Sequence, residues 1–234
     1  MTARMNFEME LELLHDRVAQ MGRYVEQKID SLFFALENED KELATSIMSG
    51  DRVIDDMEKE IEAKCLSLIT RQQPVARDLR VVSATLKVVT DIERIGDHAA
   101  DIAELAVRNQ GISIYHISKP MPELITAAKD MVHDAVDAFI QNDRSSAAKI
   151  IETDDIVDDL FNQAKDEVVR MLRGETVTGT KITADEAERR TDPDCLVDVL
   201  MIAKYLEKIG DHAVNICEWA IFRETGSIDS VRLL

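Results

Sequence analysis

Apolar side chains recur along this chain in alternating steps of three and four residues, which is the spacing of one face of an α-helix. The first segment carries such a stripe at Phe7, Leu11, Leu14, Val18, Met21, Val25, Ile29, Leu32 and Leu36. No stretch alternates apolar and polar residues with a period of two over a useful length, so no β-sheet is predicted. The pattern predicts an all-α protein.

Prolines and glycines divide this pattern into six long helices, because proline favours the first turn of a helix and glycine the residue after the last. The predicted helices cover approximately 7–36, 43–69, 75–108, 122–140, 145–172 and 195–224. The longest predicted loop spans residues 173–194. It contains a capping-box pattern that predicts a short helical turn at residues 183–186.

One twelve-residue sequence occurs twice, as ERIGDHAADIAE at 93–104 and as EKIGDHAVNICE at 207–218, a separation of 114 positions (207 − 93). The order of helices also repeats, three before the mixed segment near residues 109–122 and three after it. This internal repeat predicts two tandem three-helix bundles, residues 1–113 and 114–234, that pack against each other.

The charge balance narrows the classes of partner. The 234 residues carry 46 acidic against 28 basic side chains, a formal net charge of −18. Such a charge opposes nucleic acid and anionic membrane surfaces and favours cations or basic protein surfaces. The sequence shows no secretory signal and no apolar run long enough to span a bilayer, so a cytoplasmic location is expected.

Acidic residues share one face of the third predicted helix. Counting about 100° per residue, Asp97, Asp101 and Glu104 all lie within roughly 80° of Glu93. Apolar residues continue this face toward the N-terminus, and a separate buried stripe runs along a different side. The sixth helix repeats the design with Glu207, Asp211, Asn215 and Glu218, so that Asp101 becomes Asn215 and the other acids stay.

The helices that precede these two supply a second set of acids. Each carries an aspartate pair at i,i+4, and the four residues are Asp51, Asp55, Asp154 and Asp158. Like charges at this spacing repel each other, and partial burial makes their ionisation costlier unless a cation compensates. Oxygen-only clusters favour hard or borderline cations such as Mg, Mn, Fe or Ca. The helix-interior glycines Gly96 and Gly210 predict close approach of another group to the same face.

Other interpretations of the same residues stay open. The acids could form a solvated docking face of a metal-free helical scaffold. A ferritin-like carboxylate oxidase needs Glu-x-x-His on two helices, whereas Glu12 to His15 is the one such motif in the sequence. His98 and His212 are interpreted as structural residues or as supports of the ligands. The basic segments 71–80 and 186–190 are interpreted as solvated helix ends.

The segments DIERIGDHAADIAE and YLEKIGDHAVNICE, together with RQQPVARDLRVV before the first, resemble the PhoU family over essentially the whole chain. The resemblance implies paired three-helix bundles that bind multinuclear iron or zinc clusters, with Mn or Mg as alternatives. The motif acids would be Glu93, Asp97, Glu207 and Asp211, with the four aspartates of the preceding helices. Family members often have Asn at the position of Asp101, so the first site would be the more acidic.

The resemblance also implies a role. PhoU-like proteins are regulators without a catalytic step, associated with the phosphate ABC transporter, here expected through its ATPase subunit, and with a sensor histidine kinase. They damp the phosphate-starvation response when phosphate is plentiful. By this resemblance the protein would be a homodimer that reaches the membrane only through these partners.

Overall fold

In the computed structural model, residues 3–49, 52–109, 117–175 and 191–227 are described, and they contain helices without any strand. The all-α prediction is therefore confirmed. The helices are α1 (Ala3–Asn38), α2 (Lys41–Ser49), α3 (Arg52–Gln72), α4 (Arg77–Arg108), α5 (Met121–Gln141), α6 (Arg144–Leu172) and α7 (Pro193–Thr225). The predicted second helix corresponds to α2 and α3, which lie on either side of residues 50–51. The turn predicted at 183–186 lies outside the described residues.

Short polar side chains and left-handed residues set the helix ends. The Asp143 carboxylate accepts hydrogen bonds from Ser145 N (3.0 Å) and Ser146 N (3.1 Å), which caps the start of α6. Asp192 caps α7 in the same way through Asp194 N at 3.1 Å. Gly226 ends α7 with φ of 77°, a conformation that glycine adopts without a steric penalty. Local chemistry and apolar periodicity thus predict the same boundaries.

The helices pack as two bundles around one continuous core. In the first half α1, α3 and α4 contact one another and α2 packs on α1 and α4, while in the second half α5, α6 and α7 form the corresponding group. Across the halves α4 packs along α7, the most extensive pair of helices, and α1 contacts α5. The two helices that carry the repeated motif therefore lie together at the centre. None of the described helices is long and apolar enough to cross a bilayer.

Gly22 allows α1 to approach α5 closely. An ideal Cβ at this position would lie 2.5 Å from Cγ1 of Val136, a distance that real contacts do not reach. Val136 is β-branched and stiff, so it cannot rotate away freely. We expect Gly22→Ala to destabilise the protein by about 1–2 kcal/mol, because overpacking outweighs the gain in helix propensity. Chemical denaturation measures the change in the free energy of unfolding. Gly174→Ala is the comparison variant: no atom lies within 4 Å of a Cβ there, but φ is 77°, so this variant reports backbone strain without overpacking.

A buried carboxylate joins the C-terminal end of α4 to the first turns of α7. Asp198 is 7% exposed and accepts hydrogen bonds from Arg108 Nη1 at 3.1 Å and Asn109 Nδ2 at 2.9 Å. We expect Asp198→Ala to destabilise the protein by about 2–4 kcal/mol, because it leaves the buried Asn109 amide with one partner fewer and opens a cavity. Asp159→Ala, on the exposed face of α6, should change the free energy of unfolding by less than about 0.5 kcal/mol. Equal effects of the two substitutions would contradict this role.

Candidate metal centre

Three carboxylates converge in the first half. Asp55 of α3 and the pair Glu93 and Asp97 of α4 each offer an oxygen, and these three oxygens lie within 4.8 Å of one another. The i,i+4 spacing places Glu93 and Asp97 on one face, and the packing of α3 on α4 brings Asp55 to them. Oxygens at such separations can be ligands of one divalent cation.

The environment of Glu93 opposes its ionisation. Its pKa is raised to about 7, first by burial and then by the charges of Asp97 and Glu58. The pKa of Glu58 is also raised, mainly by burial and further by Glu62 and Asp55. Arg94 approaches this cluster, with its Nε 3.7 Å from Glu93 Oε2 and its Nη1 3.9 Å from Asp97 Oδ2. The charged form of Glu93 is nevertheless disfavoured, which is the condition that a metal ion relieves.

In the second half, Asp154 and Asp158 of α6 face Glu207 and Asp211 of α7. The pKa of Asp154 is raised to about 6 by burial first, then by Asp158, Asp211 and Glu207. Burial and the same two acids of α7 raise the pKa of Asp158. Asp154 Oδ1 is buried and has no hydrogen-bond partner. A buried carboxylate oxygen without a partner fits a position that a cation would satisfy.

Lysines neutralise the second group of acids more closely than Arg94 neutralises the first. Lys204 Nζ lies 2.6 Å from Glu207 Oε1, and Lys208 Nζ pairs with Asp211 while lying 3.4 Å from Glu207 Oε2. By the repeat, Lys208 corresponds to Arg94 and Lys204 to Thr90 (90 + 114). Among the described residues, only the first-half acids bring three ligand oxygens within 4.8 Å of one another. The two halves therefore differ in their local charge.

The predicted close approach at Gly210 is confirmed. An ideal Cβ there would lie 3.2 Å from Val157 Cγ1 and 3.6 Å from Asp154 Oδ1, so the missing side chain lets α6 bring its carboxylate against α7. Gly96 is buried at the equivalent position of α4. The glycine in each motif copy thus lies in a packed helix surface and not on the outside of the protein.

The structure places two predicted ligands away from these acids. Asp101 Oδ2 lies 3.6 Å from His98 Nδ1, and Asn215 Nδ2 donates to Asp91 Oδ1 at 3.0 Å. Neither residue belongs to the group of three oxygens. A ligand role for Asp101 and Asn215 therefore stays a prediction. Asp51 lies outside the described residues.

Sequence reasoning missed Asp91, which organises the α4–α7 contact. Its Oδ1 lies 2.9 Å from His212 Nδ1 and accepts the Asn215 bond, while the rings of His98 and His212 lie 5.6 Å apart between centroids. The repeat contained a signal, because Asp91 corresponds to Tyr205 (91 + 114), a change from a carboxylate to an aromatic ring. Tyr205 contacts the His98 ring at 5.3 Å. The histidines thus lie at the contact between α4 and α7, which fits the structural role interpreted from the sequence, while their support of metal ligands stays a prediction.

These features define a class: a helical-bundle protein made of two homologous halves, each with an acidic face on its last helix. The family model described as the PhoU domain matches twice, at residues 18–106 and 121–220. The chain belongs to the PhoU family.

Characterised relatives match along nearly the whole chain. It is 37% identical over 221 residues to the phosphate-specific transport system accessory protein PhoU homolog of Clostridium acetobutylicum, which covers 94% of each protein. It is 32% identical over 220 residues to the corresponding PhoU of Escherichia coli, covering 94% of this chain and 86% of that one.

Solved structures agree with the fold. The crystal structure of PhoU from Pseudomonas aeruginosa matches with a TM-score of 0.80 and 29% identity, over 94% of this chain and 100% of that one. The phosphate transport system regulatory protein PhoU from Streptococcus pneumoniae matches with a TM-score of 0.78 and 26% identity, over 95% and 98%. The tandem repeat of the family is therefore present, and the protein is of the phosphate transport accessory type.

Proposed function

We propose that the chain is a metal-binding regulator of phosphate uptake, which damps the phosphate-starvation response through the phosphate ABC transporter and a sensor histidine kinase. One observation carries the metal part: Asp55, Glu93 and Asp97 offer three oxygens within 4.8 Å, beside a loosely held arginine. The names of the relatives, accessory and regulatory proteins of phosphate transport, support the rest.

A bound cation would act as a structural link in this proposal. It would hold α3 against α4 in the first half, and a weaker one would hold α6 against α7 in the second. The cation supplies charge and coordination, and the chain's carboxylates fix the helices in one arrangement. Because α4 and α7 also contact each other, a metal ion at one acidic face would affect how the two halves pack together. It would thereby affect the surface that the protein presents to its partners. Iron or zinc is the family's expectation, with Mn and Mg as alternatives for an oxygen-only set.

Elemental analysis tests the metal part. The full chain, purified without chelator, is expected to contain metal by inductively coupled plasma mass spectrometry. Metal should be absent after treatment with a chelator and should return on incubation with one divalent ion. A preparation that takes up no metal, while circular dichroism shows full helicity, would leave a metal-free scaffold as the better description. Redox turnover of oxygen by the loaded protein would instead favour the carboxylate oxidase.

A cell-based assay tests the regulatory part. In a strain without this gene, a phosphate-starvation reporter should be expressed in phosphate-rich medium, and the wild-type gene should restore repression. The partners are tested by co-purification with the transporter ATPase subunit and with the kinase, and the proposed homodimer by light scattering. Normal repression in the deletion strain would contradict the regulatory role, whatever the metal content.

The second acidic face offers a test of how lysine competes with metal. Lys204→Thr introduces the equivalent of Thr90 and removes the cation 2.6 Å from Glu207 Oε1. We expect metal affinity of the second half to rise about tenfold, because the acids lose their internal counter-ion. Lys165→Thr is the matched control, since Lys165 also contacts the Phe161 ring yet pairs with Asn162 instead of an acid. Equal effects of the two changes would show that Lys204 does not compete.

A further inference from the structure

A cleft of about 570 Å³ opens at the end of the molecule where α4 begins and α7 ends. Its walls come from both halves: α1 and the first turn of α4 on one side, the α5–α6 turn and α7 on the other. Arg77, Arg223 and His15 all line it. Arg77 lies 16 residues before Glu93 on α4, about 24 Å at 1.5 Å per residue, so this cleft is separate from the acidic faces.

Two arginines of this cleft, Arg77 and Arg223, form no ion pair with a described carboxylate, whereas Arg4 does. Arg77 forms no ion pair with any described residue, although it belongs to a protein with 46 acidic side chains. Arg223 is half-buried, and its one hydrogen bond within the described chain goes from Nη1 to the carbonyl of Phe139 at 3.4 Å, with the guanidinium over the Phe139 ring at 5.3 Å. Burial, and then the charge of Arg77, lower the pKa of Arg223.

Two further groups lie close to these arginines. Burial and then the charge of Arg223 lower the pKa of His15, which favours its neutral ring, a form that can donate or accept a hydrogen bond. Arg80 lies one turn after Arg77 against the end of α7, because a Cβ on Gly226 would be 3.2 Å from its Cδ. Its Nε is buried and has no hydrogen-bond partner. Guanidinium groups that approach one another without an acid are stabilised by a bound anion, and their planar N–H donors match oxyanion geometry.

The acids of the cleft limit what could bind. Arg4 lies 2.7 Å from Glu8 and 2.6 Å from Asp78, so its single charge is shared by these two carboxylates and offsets one of them. Glu12 and Asp16 remain on the α1 wall. A compact anion can contact Arg77 and Arg223 while staying clear of that wall, whereas an extended polyanion would meet it and the net charge of −18.

We propose that this cleft binds one small tetrahedral oxyanion, of which inorganic phosphate is the probe, between Arg77 and Arg223. The bound ion joins the start of α4 to the end of α7 and so links the two halves at the end opposite the Asp198 contact. Segment 71–80, interpreted from the sequence as a solvated helix end, would then form part of the wall of a binding site through Arg77 and Asp78. It is independent of the metal sites.

Titration of the full-length, chelator-treated protein with inorganic phosphate tests the proposal. Trp219 is the only tryptophan and lies one turn before Arg223, with its ring 5.3 Å from that of Phe222, so its fluorescence reports binding alongside calorimetry. We expect Arg77→Gln to weaken phosphate binding at least about tenfold, because it removes a charged donor. Arg170→Gln removes an exposed arginine of α6 that pairs with Glu175 and should leave binding unchanged.

Arg223→Gln should weaken phosphate binding by a similar factor. If this variant folds poorly, Arg223→Lys replaces it: lysine keeps the positive charge, so this variant should retain part of the phosphate affinity. Sulfate should compete with phosphate, whereas ATP should bind more weakly than either because its bulk meets the α1 wall. The proposal is overturned if the chelated protein binds no phosphate at millimolar concentration, or if Arg77→Gln binds like wild type. Binding that needs added metal, or that Arg170→Gln weakens as much as Arg77→Gln, also overturns it.

Discussion

Glu93→Gln combined with Asp97→Asn is expected to weaken metal binding in the first half by roughly a hundredfold or more. The two substitutions keep the shape of the side chains and remove both α4 charges from a three-oxygen cluster, and affinity at such sites depends on the number of charged ligands. Metal content after purification and competition titration with a chromophoric chelator measure the loss. Helicity should be unchanged, because neither carboxylate forms the hydrophobic core.

The repeat supplies the matched control for this experiment. Glu207→Gln combined with Asp211→Asn makes the same change in the second half, where lysines already neutralise the acids. We expect this pair to remove the weaker-bound metal and to leave the first half loaded. Full occupancy of the Glu93/Asp97 variant would exclude these residues as ligands. Loss of all metal from both double variants would mean that the halves bind cooperatively.

Removing metal is expected to make stability depend on pH with an unusual sign. The pKa of Glu93 is raised from 4.5 to about 7 and that of Asp154 from 3.8 to about 6. Between the ordinary and the raised values, the native protein keeps protons that the unfolded chain releases, so stability falls as pH rises. After allowance for solvent screening, the two groups together should cost about 2–4 kcal/mol between pH 4 and 7.5.

Denaturant unfolding in chelator at pH 5 and pH 7.5 measures this dependence. Glu93→Gln should raise the stability of the metal-free protein at pH 7.5 and should flatten the pH profile. Adding metal to the wild type at about a thousand times its Kd should restore about 4 kcal/mol at pH 7.5. Metal-free protein that becomes more stable from pH 5 to 7.5, or a Glu93→Gln variant with an unchanged profile, would contradict the assigned environment.

The fold was predictable because the apolar spacing and the helix-end residues indicate the same set of helices. The 3.6-residue apolar period, the prolines and the glycines place the helices within a few residues of their observed ends. The site was predictable as far as one helix determines it: spacing alone brings Glu93 and Asp97 together. Asp101 lies outside the group of three oxygens because eight residues at about 100° turn it roughly 80° away from Glu93, and its role as a ligand stays a prediction. It lies beside His98 at the α4–α7 contact.

Features that depend on several helices could not be found in this way. Thr90 and Lys204 look like an ordinary surface exchange until the structure places Lys204 Nζ at 2.6 Å from Glu207 Oε1. The anion cleft combines His15, Arg77 and Arg223, which are far apart in sequence and lie on three different helices. Neither periodicity nor local spacing carries information about such a combination.

The contact between α4 and α7 has a consequence for how the duplicated protein can evolve. Asp91 forms hydrogen bonds with His212 and Asn215, while the ring of its counterpart Tyr205 contacts the ring of His98. Two copies of the first half would pair each aspartate with a histidine but would place Asp101 where Asn215 donates, so two carboxylates would face each other. Two copies of the second half would leave Asn215 and His212 without a carboxylate. Unlike halves satisfy these donors and acceptors together. The contact between α4 and α7 therefore has the character of an interface between two unlike subunits, and a change in one half is constrained by the residues of the other.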